Sequence, residues 1–179
     1  MRIWKLHADV NHFDTIATVD EDDWDLDFCN GESLKNTWVP LHFEYLDNRR
    51  RGDSPGFSEP VLSERALTVL SPLISTFSEI LPIFVEKEKF YLLNVTTVLD
   101  CIDYDNSCFE TFPDSNRIMW FQSYSFLPEV VRGMHIFKIS DENKRNPFVS
   151  DEFRDAVIAN KLTGFHFEEV WNEKPKEEY

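Results

Sequence analysis

The longest run of β-branched and aromatic residues without Gly or Pro extends from Phe90 to Asp103. Residues 90–98 do not alternate cleanly between polar and apolar positions, which is typical of a strand covered on both faces. A second apolar run, residues 79–85, precedes the charged tetrad 86–89, so the two runs predict a β-hairpin with a central strand over 90–98. Periodicity alone also allows a short buried helix over 92–103. Pro82 cannot donate a ladder hydrogen bond, so we expect its strand to be bulged or at an edge.

Similar patterns predict strands over residues 2–8, 39–45, 117–124, 134–139 and 165–171. Within 39–45 the apolar residues alternate, which places Val39 on the same face as Phe43. The segment 104–116 is rich in turn residues, with a short strand indicated near Phe109. Residues 48–60 contain Gly, Pro and three consecutive arginines, so they predict a loop, with residues 49–51 as a solvated tip or as a partner of the acidic segment.

Two segments carry helix start signals. Ser63 precedes Glu64, and Ser150 precedes Asp151, so each serine is an expected N-cap with an acidic residue in the first turn. Pro72 should end, kink or restart the first helix. Each of the two segments predicts a strand end, a capped helix and a return strand. This similarity indicates a weak internal repeat. Together these elements predict one α+β domain, with a mostly antiparallel or mixed sheet and two N-capped helices packed against it.

Charge narrows the classes of function. The 179 residues include 33 acidic and 18 basic ones, for a net charge of -15. Such a surface repels nucleic acid and anionic membranes and favours a basic partner. Three cysteines without metal-ligand spacing, no signal peptide and no long apolar run predict a cytoplasmic protein.

The acidic charge is densest in residues 20–27, where six of eight residues are acidic. One interpretation is a solvated acidic loop. The other is a surface that attracts a cationic partner, with an aromatic anchor at its centre. The candidate partner-binding residues are Asp20, Glu21, Asp22, Asp23, Trp24, Asp25 and Asp27.

Common enzyme motifs are absent from the sequence, and no cofactor is expected. A cysteine and a histidine can still meet in space, so an enzyme is the alternative. Its candidate residues are Cys101, Cys108, His135 and His166.

Five blocks in order resemble a family of bacterial polymorphic-toxin immunity proteins. The blocks are residues 62–66, 91–95, 99–100, 148–153 and 162–167, with LSERA, YLLNV, LD, FVSDEF and LTGFHF as their sequences. The resemblance implies a cytoplasmic α+β protein that binds and neutralises a toxin. It divides the chain into a variable acidic part (1–59), a family-like core (61–171) and a charged tail (172–179).

The resemblance and the charge give three functional hypotheses. The first is a binding module that occludes a basic toxin domain, such as a nuclease, with one-to-one stoichiometry. The second is an enzyme that reverses the chemistry of the toxin, and the third is a generic acidic interaction module.

Overall fold

The structure, a computed structural model, describes residues 1–19 and 29–173. Strands β1 to β12 span, in chain order, Arg2–Ala8, Ile16–Thr18, His42–Tyr45, Val61–Ser63, Ser78–Val85, Glu88–Val95, Val98–Leu99, Cys108–Thr111, Ile118–Ser123, Ile136–Ile139, Phe148–Ser150 and Phe165–Asn172. Helices α1 to α3 span Glu64–Ile74, Pro128–Val131 and Asp151–Ala159, and a 3-10 turn covers Ser140–Glu142. The predicted single-domain α+β fold is confirmed.

The strands form two five-stranded sheets and one two-stranded ribbon. The first sheet has the order β12-β1-β11-β10-β7, the second has the order β2-β3-β5-β6-β4, and the ribbon pairs β8 with β9. The pairs β10–β7 and β3–β5 are parallel, and the other pairs are antiparallel. Both large sheets are therefore mixed.

The predicted repeat is present as two similar units. In the first, helix α1 connects β4 to β5, and β6 lies between these two strands; in the second, α3 connects β11 to β12, and β1 lies between them. In each unit the middle strand is antiparallel to both neighbours, so the strands before and after the helix are parallel. The first strand of the chain thus completes a unit formed mostly by its last fifty residues.

Both helices begin at the predicted caps. Ser63 Oγ accepts a hydrogen bond from the Ala66 N–H, and Ser150 Oγ accepts one from the Phe153 N–H. The buried faces of the helices share one core with one face of each sheet. That core contains Trp4, Leu6, Leu62, Ala66, Leu70, Ile74, Leu93, Val95, Ile136, Val149, Phe153, Val157 and Leu162.

Pro72 does not end helix α1, which continues to Ile74. Pro72 is in the last turn of the helix and has no N–H. The hydrogen bond that is lost is therefore close to the helix end and not in its middle. The Ser71 carbonyl in the same turn accepts from both the N–H and the Oγ of Ser75. This local bonding keeps the turn closed.

The β5–β6 hairpin is confirmed, and the alternative helix over 92–103 is wrong. The strands extend into the charged tetrad, so the turn is only Glu86 and Lys87, with Glu86 at φ 54. Strand β5 is not an edge, because β3 pairs with its last two residues. The Pro82 carbonyl accepts from Trp38 Nε1, 2.9 Å away. The Pro82 carbonyl thus points away from β6, toward Trp38. In a strand, the carbonyl and the nitrogen of one residue point to the same side, so the Pro82 nitrogen also faces away from β6.

Strand β3 is shorter than predicted. It begins at His42, and the Val39 side chain is 71% exposed rather than on the buried face with Phe43. Pro40 has no N–H to donate to a ladder, and β3 pairs with β5 at only two positions.

The loop predicted over residues 48–60 is confirmed, with residues 49–51 exposed and residues 53–56 buried. The Asp53 carboxylate accepts hydrogen bonds from Ser63 Oγ (3.0 Å), Arg65 (2.9 Å) and the Thr163 N–H (2.9 Å). Ser63 caps α1, and Thr163 lies between α3 and β12. One buried side chain therefore joins the two repeat units.

The backbone at this junction leaves no room for a side chain on Gly164. Its φ is +87, and an added Cβ would collide with the Ser54 carbonyl oxygen. Gly133 has a similar φ of +81 but no atom within 4 Å of an added Cβ. A side chain at Gly133 would therefore introduce backbone strain alone, whereas a side chain at Gly164 would add a steric collision.

We expect Gly133→Ala to destabilise the protein by about 1–3 kcal/mol, which is the usual cost of a left-handed backbone for a residue with a Cβ. Gly164→Ala should lose a further 1–3 kcal/mol or so, because the units must separate to admit the methyl group. Urea unfolding of both variants measures the difference. Equal losses would contradict a tight junction between the units.

Candidate partner-binding surface

The predicted partner-binding residues Asp20 to Asp25 and Asp27 lie outside the residues that the structure describes. Both flanks of this stretch are described. On one side the Val19 N–H donates to the His42 carbonyl, at the end of the outer strand β2. On the other side Cys29 is 3% exposed. The described residues on either side of the stretch are therefore Val19, bonded beside an edge strand of the second sheet, and Cys29, in the core.

Cys29 is held by a buried lysine. Lys138 Nζ, on β10, donates to the Cys29 carbonyl (2.7 Å) and to both Glu59 oxygens (3.1 and 3.2 Å). The Lys138 side chain is fully buried and that of Glu59 is 7% exposed. Burial raises the pKa of the Glu59 carboxyl to about 7, and the attraction of Lys138 opposes this rise. The lysine of a buried ion pair thus holds Cys29, the first described residue after the acidic stretch.

A second acidic segment is fully described. Residues 90–116 contain no Lys or Arg. The acidic residues in this segment are Asp100, Asp103, Asp105, Glu110 and Asp114. Within the described ranges, no basic side chain forms an ion pair with any of these five carboxylates. Basic side chains of the described residues therefore leave this negative charge unpaired.

Two exposed aromatic residues of this part of the chain each donate a hydrogen bond to a carboxylate. Tyr104 is 43% exposed, and its hydroxyl donates to Asp141 Oδ2 (2.8 Å). Trp120, on β9, is 41% exposed, and its Nε1 donates to Glu110 Oε2 (3.1 Å). We define the acidic aromatic surface as Asp100, Asp103, Tyr104, Asp105, Glu110, Asp114, Trp120 and Asp141.

Sequence reasoning missed this surface. Carboxylate pairs such as Asp103 and Asp105 carried little information, because acidic residues occur throughout the chain. The usable signal was the complete lack of Lys and Arg over 27 consecutive positions, 90–116. The pairing of Glu110 with Trp120 could not be inferred, because it depends on the register of β8 against β9.

The candidate catalytic residues are not brought together as a nucleophile and base. Burial raises the pKa of the Cys101 thiol to about 12, so it is protonated at neutral pH. Exposed Cys108 contacts Gln122 Oε1, His135 Nδ1 contacts Ser150 Oγ, and the His166 ring lies 6.0 Å from that of His7. Each histidine is thus engaged away from a thiol.

Among the described residues, no group of three His, Cys, Asp or Glu side chains could hold a metal ion. The same part of the chain contains no helix long and apolar enough to span a membrane.

The buried ion pair gives a pH-dependent prediction. In Lys138→Met, we expect a loss of about 3–5 kcal/mol at pH 8, because the ionised Glu59 is left buried without its partner. Removing Lys138 should raise the pKa of Glu59 further above about 7. The folded protein then binds this proton more tightly than the unfolded chain, so part of the stability returns as the pH falls to 5.5.

Denaturant unfolding at pH 8 and 5.5 checks this expectation, with Lys87→Met in the exposed hairpin turn as the matched control. An equal loss for Lys138→Met at both values would contradict a buried, proton-accepting Glu59.

A family model described as "Immunity protein family (Imm11)" matches residues 61–172. The match runs from β4 to the end of β12, so it includes both capped helices. A search of curated proteins found no match. The match covers more than half of the chain, and it agrees with the family indicated by the five sequence blocks: the chain belongs to the Imm11 immunity protein family.

Proposed function

We propose that this immunity protein neutralises its cognate toxin by direct one-to-one binding that occludes the working surface of the toxin. Family membership supports the immunity role. No cofactor is needed for such occlusion, and we infer a cytoplasmic, non-enzymatic protein. The protonated Cys101 thiol and the separately engaged histidines support binding over catalysis.

The charge of the protein supports a basic partner. A net charge of -15 repels polyanions and increases the rate of encounter with a basic domain. Toxin domains that act on nucleic acid need a basic surface, because the phosphate backbone dominates binding to that substrate. A basic nuclease therefore fits this immunity protein well, since the same positive cleft would bind RNA or DNA and the acidic inhibitor.

We propose that residues 20–27 and the acidic aromatic surface are the two contact regions. Interface energy is usually concentrated in a few aromatic or charged residues surrounded by weaker contacts. Trp24 and Trp120 provide aromatic anchors within negative surroundings. The Lys138–Cys29 hydrogen bond holds the first described residue after the first region. This observation, acidic charge with aromatic anchors on an immunity-family scaffold, is the main support for the proposal.

We expect the variant with Asp20, Asp22, Asp23 and Asp25 changed to Asn to bind the toxin at least about tenfold more weakly at low salt, a loss of 1.4 kcal/mol. Its affinity should also depend less on salt, because fewer charges attract the partner. Titration calorimetry at two salt concentrations measures both effects. The control neutralises the same number of exposed carboxylates elsewhere, at Glu44, Glu88, Glu129 and Asp155. Equal weakening in both variants would contradict a local contact.

Trp120→Ala should weaken toxin binding by 2 kcal/mol or about thirtyfold, the size expected of a central aromatic anchor. Ile158→Ala removes a comparably exposed apolar side chain from α3 and should leave the affinity unchanged. Surface plasmon resonance of both variants checks the assignment. An unchanged dissociation rate for Trp120→Ala would remove the acidic aromatic surface from the interface.

A further inference from the structure

A groove separates two chain segments, residues 121–126 and residues 168–173. Its two parts have volumes of about 360 and 480 Å³, and Tyr124 lines both of them. These volumes are in the range of ligand-binding clefts. Residues 121–124 face 168–170, and residues 124–126 face 171–173, so the two walls run in the same direction.

Within the described residues, the walls of the groove are the unpaired backbone edges of two extended segments, not the side-chain face of a sheet. Successive side chains of a strand point to opposite faces, yet consecutive residues line the groove on both walls. Strand β12 pairs with β1 on its other side, from Phe165 to Asn172. The segment 118–127 pairs on its other side with residues 101–111. Within residues 1–19 and 29–173, no strand pairs with either facing edge.

The floor of the groove is closed by packed side chains. The Phe126 and Trp171 rings lie 5.9 Å apart. Lys5 Nζ, from β1, donates to the Tyr124 hydroxyl (2.7 Å) and to buried Glu142 (3.2 Å). The ammonium is thus neutralised from within the protein. In the described part of the chain, no backbone hydrogen bond joins the two walls over this floor.

The rim of the groove is acidic. Its lining includes the carboxylates of Asp103, Glu168, Glu169 and Glu173 and one cation, the neutralised Lys5. Arg2 lies 3.9 Å from the Glu169 carboxylate, and Glu173 pairs with Arg132 (2.9 Å) and with the N-terminal ammonium of Met1 (3.9 Å). Glu168 is 60% exposed, and its ion-pair partner within residues 1–19 and 29–173 is His7, whose pKa is lowered by burial. Asp103 also belongs to the acidic aromatic surface, so the two features are continuous.

We propose that this groove binds an extended basic segment of the toxin as an added strand between β12 and the 121–126 segment. The inference rests on the proposed function. Because both walls run in the same direction, one strand can be antiparallel to both, which continues the β1–β12 pairing. Six residues at about 3.3 Å each would fill a length of roughly 20 Å. The carboxylates favour alternating basic side chains and repel a second copy of this acidic chain.

The test uses three fluorescent eight-residue probes with capped ends. The first alternates Lys and Val, the second alternates Glu and Val, and the third is the Lys-Val peptide with N-methylated valines. N-methylation keeps the charge but removes strand hydrogen bonds. Fluorescence anisotropy measures binding to the full chain, and hydrogen exchange of residues 165–173 locates it.

We expect the Lys-Val probe to bind at least tenfold more tightly than either other probe and to protect the amides of β12. The double variant Glu168→Lys with Glu169→Lys should weaken this binding at least tenfold. The matched variant Glu44→Lys with Glu88→Lys, on the second sheet, should not. Equal binding of the N-methylated probe, or no binding of the Lys-Val probe, would overturn strand addition.

Strand addition in the groove can fail while the proposed function still holds. If the Glu168→Lys, Glu169→Lys variant still binds the toxin with unchanged affinity, the groove is not the contact, although direct neutralisation stands. If sedimentation shows a dimer of the free protein that this variant dissociates, a second copy occupies the groove and the proposal is wrong.

Discussion

The hydrogen bonding of the Asp53 carboxylate is the constraint on which the rest of the structure depends. It joins the cap of α1 to the segment after α3, and so fixes the two repeat units against each other. Both helices then bury their apolar faces in one core shared by the two sheets. The other face of each sheet packs into a separate core. The first sheet supports the β8–β9 ribbon through an aromatic cluster, and the second supports the segment that leads from Cys29 to β4.

Local signals predicted most of the elements, because capping and apolar patterning act over a few residues. Ser63 and Ser150 marked both helices, and the run after Phe90 marked the strand buried on both faces. The errors came from tertiary contacts. The loop prediction for residues 48–60 did not reveal that Asp53 is buried, because its partners lie 10 and 110 residues away in the sequence. Likewise, the position of β5 inside a sheet depends on β3, which its own sequence does not reveal.

The candidate binding features were less predictable than the fold. Charge density pointed to residues 20–27, and this assignment stays a prediction, as does the division of the chain at residues 59 and 171. The acidic aromatic surface left a compositional trace, the lack of Lys and Arg over residues 90–116. The groove left none, because an open strand edge is a property of sheet order. Only the order of the first sheet and the pairing of the ribbon place two free edges opposite each other.

The central claim is direct, charge-assisted binding of a toxin. The most direct test is to capture partners of the tagged protein from its native cell extract at low and high salt, and to quantify them by mass spectrometry. The account predicts one basic protein with a toxin domain, retained in a one-to-one amount at low salt and released at high salt. Retention of no such protein at either salt concentration would contradict direct neutralisation.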